Sequence, residues 1–484
     1  MKTVSPPSAS GPECLERALT EEVADRDQDL NGYFGSGLAE KEISNDMLSA
    51  RAETRTIKPC PRLRGEVVLP GDKSISHRAV ILSSLAKGTS TVGNFAPGRD
   101  CLATIRCLKA LGVKIDRRGT WDSPSLSVSG TGEAGLTEAA NVLNAQDSAT
   151  TMRLLGGLLA AQPFLSIITG DASLRNRPMD RLIEPLRLMG TDISGRAGDS
   201  RAPLVIKGRG LHGIDYALPV PSAQIKTAIL LAGLFARGGT AVSGRVASRD
   251  HTERLLTLMG AELERGDALI SLRPLSRPLS PVMLHIPGDI SSAAYFLVAG
   301  AVHPDARIVI RNCGINPTRT GIIDVLIAMG ARLRVCNERV EADEPLADIV
   351  IESSDLKGIE VGGDMIPRII DEIPVLAVAG CAARGKTVIR DAGELRVKES
   401  DRIATLSGEL SRLGARVDPL PDGMVIYGGT PLSGTQVDSH SDHRLAMSLA
   451  VAALIATGET SIKHAEATRI SYPSFWQAMQ QVSS

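Results

Sequence analysis

Aromatic side chains are scarce in this sequence, at 3% of 484 residues. Its core must therefore be filled by Ala, Leu, Ile and Val, as stacked α/β layers often are. Net charge is nearly absent too, at −1 for 54 Lys and Arg against 55 Asp and Glu. No global field draws in nucleic acid or an anionic membrane, so anion binding has to come from local clusters. No apolar run approaches the length of about 20 residues that a membrane helix needs. The seven cysteines (Cys14, Cys60, Cys101, Cys107, Cys313, Cys336 and Cys381) form no CxxC pair, and their number is odd. That is the pattern of idle thiols in a reducing compartment. There is no GxxxxGK[ST] loop and no GxGxxG opening a βαβ unit, so a nucleotide is not indicated. No His, Cys and acidic residues fall at metal-ligand spacing, and neither metal nor cofactor is expected. The opening residues lack the apolar segment of a signal peptide, and cytoplasm is the expected location.

What is present is a soluble globular composition, 43% hydrophobic, long enough for two domains or a repeat array. Residues 1–54 are polar and aperiodic. They predict a disordered extension with one short helix near 13–23. From Thr56 onward a pattern recurs: an Ala- and Leu-rich helix, a turn, then a β-branched run. The helical segments are 76–88, 148–160, 225–239, 291–302, 371–385 and 442–458. The strands that follow include TSTVGNF, FLSIITG, TAVSG, ARIVIRN, KTVIRD and TSIKH. A second motif, Leu-Gly or Met-Gly, ends other helices at Gly112, Gly190, Gly260, Gly330 and Gly414. Spacings of 70–84 residues exceed a solenoid repeat and approach a small subdomain. Six units fit the chain.

The segment LPGDKSISHRAVIL (69–82) resembles IPGDISSAAYFLVAG (286–300). A shared Pro-Gly-Asp before the first helix of units one and four predicts two related halves. The chain should cross between them near Pro70–Gly71 and Pro287–Gly288. One domain then spans 72–286, and the other joins a strand at 55–69 to 289–484. Interdomain clefts favour active sites.

Basic and polar residues cluster where these helices begin. Lys73, Ser74 and Arg78 lie in GDKSISHR; Ser222, Ala223, Gln224 and Lys226 in PSAQIK; Lys398, Glu399 and Arg402 in RVKESDR; Arg444 in SDHR. Helix N-termini offer free N–H groups and partial positive charge, and Arg adds two-pronged recognition of phosphate or carboxylate. Any one cluster alone is more often surface charge. Four at equivalent places in a repeat point to a site for small polyanions. His251 and His443 are isolated and read as structural.

The segments PGDKSISHRA, SAQIK, SRDHTE, NPTR (316–319), DEIPVLA and RVKESDR resemble, in order, the signatures of the EPSP synthase family, over 55–484. SAQIK, RDHTE and NPTR resemble its class II branch, associated with tolerance to glyphosate. The resemblance implies an α/β, two-domain enolpyruvyl transferase fold, each domain of three βαβαββ units around a pseudo-threefold axis. It implies transfer of the enolpyruvyl group of phosphoenolpyruvate to shikimate 3-phosphate, by a monomer without cofactor. By the same resemblance, Ser222 and Arg249 hold the shikimate phosphate with help from Lys226. Ser74 and Arg78 take its carboxylate and hydroxyls, and Ala223 and Gln224 lie beside the ring. Lys73, Ala149, Thr150, Arg177, Arg402 and Arg444 surround phosphoenolpyruvate. Asp371 accepts the proton of the attacking 5-hydroxyl, and Glu399, with Lys73 or Lys398, protonates the methylene carbon. For Glu372 a helix N-cap is the expectation.

The sequence departs from the family at Gln146-Asp147-Ser148-Ala149-Thr150, where Gly-Asn-Ser-Gly-Thr is common. Gln146 predicts an altered turn, Asp147 a repulsion of the anionic substrate, and Ala149 a pocket like that of tolerant enzymes. Ile470 stands where class I enzymes carry a Lys, with Arg469 as a candidate substitute. Two rival readings are UDP-N-acetylglucosamine enolpyruvyl transferase and a non-catalytic shikimate-phosphate-binding paralogue. The first typically needs a loop cysteine that GDASLRNRP (170–178) lacks. Retention of Asp371, Lys398, Glu399 and Arg402 argues against the second.

Overall fold

Six small sheets, each tied to a buried helix, make up the protein in a computed structural model that describes residues 52–483 apart from 133–134. The expected disordered extension, with its helix near 13–23, falls outside the described residues as far as position 51.

Unit two shows the pattern. It runs strand Leu143–Asn144, helix Ala149–Ala160, strand Leu165–Thr169, helix Asp180–Leu188, then strands Asp192–Gly195 and Arg201–Lys207. The first two strands are parallel, as a helical crossover requires, and the remaining pairs are antiparallel. Three of the five four-stranded sheets follow this βαβαββ order along the chain; in the other two the first strand, Met283–His285 or Leu63–Val68, is supplied from across a chain crossing, and the sixth sheet has three strands. The expected α/β fold of six units is therefore observed. The first helix of each unit is buried on nearly every side, which explains its Ala, Leu and Gly content. The second helices carry one apolar face. Those of units one to five end at the predicted glycines, whose φ values of +88° to +101° suit a residue without Cβ.

Apolar side chains form two large cores, one from residues 75–286 and one from 63–69 with 290–482. The chain leaves strand Leu63–Val68, paired with Ala306–Gly314, and enters the first core. It returns after strand Met283–His285, which pairs with Lys87–Gly93. The crossings lie side by side. Asp72 N donates to Pro287 O at 2.8 Å, and Asp289 N to Pro70 O at 3.0 Å. Gly71 is needed at this approach, because a Cβ there would sit 1.8 Å from Asn94 O.

The strand expected over 55–69 is two strands in different sheets, Arg55–Ile57 and Leu63–Val68. Pro59 and Pro61 lie between them and supply no ladder donors. Five of the thirteen aromatics gather at one place. Tyr295, Phe296, Tyr472, Phe475 and Trp476 pack mostly edge to face where the C-terminal helix Phe475–Ser483 docks.

Candidate active site

The first helices of the six units begin after Asp72, Ser148, Ser222, Asp289, Glu372 and Asp442. All but Glu372 accept a backbone N–H with their side chains, the usual reason for these residue types at an N-cap. The expectation for Glu372 is corrected here. It occupies the cap position, but its buried carboxylate accepts from Ser291 Oγ instead.

These helix starts bring charged groups of both cores together. From the first core, Arg249 Nη2 pairs with Asp371 of the second, while its Nη1 donates to Ser74 Oγ at 3.0 Å. Arg177 Nη2 lies 3.2 Å from Glu399 Oε1. From the second core, Arg444 donates to the Asp371 carbonyl at 2.9 Å and lies 3.3 Å from its carboxylate. Arg402 is fixed by Asp442 at 2.8 Å and donates to Glu399 at 2.5 Å. Lys73 Nζ pairs with Asp100 at 2.9 Å. Two buried guanidinium N–H groups here have no hydrogen-bond partner among the described residues, Arg177 Nε and Arg402 Nη1. Buried guanidinium donors of this kind call for an anionic acceptor.

The electrostatics follow from the packing. Burial pushes the Asp371 carboxyl up, but Arg444, Arg249, Lys398 and Arg402 together hold it well below the usual range. Glu399 is likewise held low against its burial by Arg402, Arg177 and Lys73. Burial lowers the Lys398 ammonium despite the nearby carboxylates of Asp371 and Glu394. It also drives the His443 imidazole well down, helped by Lys73 and Arg444, so that ring is neutral.

Some predicted residues are placed beside the cleft but are occupied with the protein itself. Arg78 is buried, and four of the five hydrogen bonds a guanidinium can donate go to Thr252, Ser74, Ala223 and Thr227. Gln224 donates to Thr150 Oγ1 at 2.8 Å and accepts from Arg153 at 2.6 Å. Ser222 Oγ caps its own helix. Lys226 spends its ammonium on Glu253 at 2.6 Å and on the carbonyls of Val246 and Ser248, so it shapes the loop before Arg249 rather than facing the cleft. Arg469 pairs with Glu53 at 3.2 Å. Gln146 takes a left-handed φ of +54°.

Sequence reasoning missed Arg153, Asp100 and Asp442. Arg153 lies three residues after Thr150, a spacing that puts both on one helix face, and this was the available signal. Asp100 and Asp442 hold Lys73 and Arg402, a pairing that no local spacing encodes.

A six-unit α/β fold with guanidinium groups converging from two cores defines a protein that handles small polyanions. The sequence model of EPSP synthase (3-phosphoshikimate 1-carboxyvinyltransferase) matches residues 57–479. The 3-phosphoshikimate 1-carboxyvinyltransferase of Herpetosiphon aurantiacus is 51% identical over 430 residues, covering 88% of this chain and 99% of that one. That of Gloeobacter violaceus is 52% identical over 428 residues, covering 88% and 98%. A solved EPSP synthase of Acinetobacter baumannii superposes with a TM-score of 0.79 at 41% identity, covering 89% of this chain and 98% of that one. The chain belongs to the EPSP synthase family.

Proposed function

We propose that this protein transfers the enolpyruvyl group of phosphoenolpyruvate to the 5-hydroxyl of shikimate 3-phosphate and releases phosphate. Family membership supports the reaction. The observation that carries the site is the meeting of Arg249 and Arg177 from one core with Asp371 and Glu399 from the other. The two cores serve as two domains, 72–286 and 55–71 with 287–484, that close on the substrates.

The hydroxyl oxygen attacks C2 of phosphoenolpyruvate as C3 gains a proton. The tetrahedral adduct then loses phosphate from C2 and a proton from C3. Asp371 receives the hydroxyl proton. Its depressed pKa keeps it ionised but makes it a weak base while Arg249 is paired with it. When Arg249 turns to the shikimate phosphate, Asp371 becomes more basic as the hydroxyl arrives. Glu399 is ionised and needs a proton before it can give one to C3. The lowered Lys398 ammonium supports that residue as the source. Ser74 and Ser222 add hydroxyls for shikimate 3-phosphate. Lys73, Arg177, Arg402 and Arg444 hold phosphoenolpyruvate, against a pocket edge formed by Ala149 and Thr150. The Ala149 methyl supports glyphosate tolerance, because it narrows a site that must still admit the shorter natural substrate.

The UDP-N-acetylglucosamine reading is disfavoured by the loop at 170–178, where Ser173 rather than a cysteine reaches the Glu399 carbonyl at 3.4 Å. Phosphate release from phosphoenolpyruvate, with and without shikimate 3-phosphate, tests the proposal. Release that requires shikimate 3-phosphate is expected. Release that is absent in both cases, or unaffected by it, would sink the reading.

A further inference from the structure

The segment Asn316-Pro317-Thr318-Arg319 is left without a role by the reaction just described, yet Arg319 is 3% exposed in the middle of the molecule. It sits where the two chain crossings meet. We propose that Arg319 is a positioning residue for the transfer reaction, pinning the two crossings together and setting three active-site segments at their working separation. This inference rests on the reaction proposed above.

The first arm is Nη1, which donates to Asp72 Oδ2 at 2.9 Å. The other oxygen of Asp72 accepts from Ile75 N at 2.9 Å and caps the helix that opens with Lys73 and Ser74. The second arm is Nη2, which donates to Asp289 Oδ1 at 3.2 Å and to Ser291 Oγ at 2.8 Å. Ser291 Oγ donates onward to Glu372, the neighbour of Asp371. The third arm runs through Asn316, whose backbone carbonyl accepts from Arg319 N at 2.8 Å. Asn316 Nδ2 donates to Asp250 Oδ1 at 2.7 Å and to Glu344 Oε2 at 3.0 Å. Glu344 Oε1 lies 2.7 Å from His251 Nδ1, and these contacts fix the loop that carries Arg249. His251 Nε2 is 3.5 Å from Arg319 Nη1, which closes the circuit.

Only a planar fork reaches Asp72 on one side and Asp289 with Ser291 on the other; an ammonium is a single point. Four buried acids, Asp72, Asp289, Glu344 and Glu372, are gathered around it. Apolar packing would hold two domains together at least as well as such a cluster, so the network specifies geometry rather than bulk stability. Misplacing reacting groups by about 1 Å can lower a rate on the order of 100-fold.

The arms make separable predictions for steady-state kinetics in both substrates, run with thermal melts of each variant. Ser291→Ala cuts only the arm to Glu372. It should lower kcat about tenfold and leave both KM values within about twofold. Asn316→Ala loosens the Arg249 loop and also frees Thr318, whose N and Oγ1 donate to Asn316 Oδ1 at 2.9 and 2.7 Å, while the Arg319 fork keeps its own partners. It should raise the KM for shikimate 3-phosphate about tenfold with little change in kcat. Arg319→Lys loses the fork but keeps the backbone N–H that holds Asn316, so it should mainly show the kcat loss, with the KM for shikimate 3-phosphate within about twofold. If that variant does not fold, the two single-arm variants decide alone. Identical patterns in those two, or losses that simply follow the unfolded fraction at the assay temperature, overturn the proposal. The wild-type rate in the same assay reports separately on the reaction itself, since an inactive wild type would fault the function and not the pin.

Discussion

Asp147 and Asp371 both lie near basic side chains at the starts of buried helices, yet their carboxyl pKa values are driven in opposite directions. Asp371 is kept well below the usual carboxylate range, because Arg444, Arg249, Lys398 and Arg402 together outweigh its burial. Asp147 is pushed up to about 7 by burial and by the neighbouring Asp100 carboxylate. Arg99, the cation paired with it, is 31% exposed and reaches it only at 3.5 Å, so water screens much of the attraction. The number and aim of the facing cations decide the charge, not the presence of basic residues nearby. The repulsion expected from Asp147 is therefore conditional. Below about pH 7 the group is largely neutral and can donate a hydrogen bond, as the family's usual Asn does.

The largest test of this contrast lies on the Asp371 side. Asp371→Ala and Glu399→Gln should each lower kcat by at least about 100-fold, as loss of a positioned acid or base does. Shikimate 3-phosphate should still bind, because Arg249 and Ser222 remain. Turnover near that of the wild type in either variant would remove that residue from the chemistry.

A steric difference accompanies the electrostatic one. Ala149 is buried at the first turn of its helix, two residues after Asp147. Glyphosate, the longer ligand, should feel its methyl more than phosphoenolpyruvate does. Overpacking of about 1–3 kcal/mol corresponds to roughly 5- to 150-fold in binding. Ala149→Gly should lower the ratio of the glyphosate inhibition constant to the phosphoenolpyruvate KM by a factor in that range. An unchanged ratio would show that the methyl does not discriminate between the two.

The Asp147 side is smaller in effect but carries a pH signature. Its folded-state pKa is raised above the ordinary 3.8, so the ionised form is the disfavoured one. The Asp147 contribution to stability should therefore be fully present below its ordinary pKa of 3.8 and lost as pH rises through about 7, and phosphoenolpyruvate affinity should fall over the last part of that range. Asp147→Asn should abolish the decline. At pH 8 its phosphoenolpyruvate KM should be about tenfold below that of the wild type, and at pH 5.5 nearly equal. Equal pH dependence in the two proteins would mean that Asp147 does not titrate in this range.

The six units were legible because each repeats a local rule, a buried Ala- and Leu-rich helix and a left-handed glycine, and local rules are written in short stretches. The crossings at Pro70–Gly71 and Pro287–Gly288 were legible because the two helix starts share Pro-Gly-Asp. The engagement of Lys226 by Glu253, the pairing of Arg469 with Glu53 and the diversion of Glu372 to Ser291 were not legible. Each depends on a partner that tertiary packing supplies. The same holds for Arg319, whose partners Asp72 and Asp289 lie 247 and 30 residues away in sequence.

The smallest expected effect concerns Gln146, which precedes Asp147 and holds a φ of +54°. A left-handed backbone costs a residue with Cβ about 1–2 kcal/mol. Glycine relieves this but gains about 0.4–1 kcal/mol of unfolded-chain entropy to lose on folding. Gln146→Gly should therefore raise stability by about 0.5–1 kcal/mol, read from the denaturant midpoint at unchanged slope. The bonds made by the Gln146 backbone, Gln146 N to the Asn144 side-chain Oδ1 and Asp171 N to Gln146 O, both at 2.8 Å, need no Gln146 side chain and should survive. The pH at which the phosphoenolpyruvate KM begins to rise should not move, because burial and Asp100 set it rather than the preceding residue. A shift of that inflection would show that the Asp147 charge state depends on the turn, and the contrast with Asp371 would then rest on backbone geometry instead of on facing charges. A loss of stability would show that Gln146 packs well enough to outweigh its own strain.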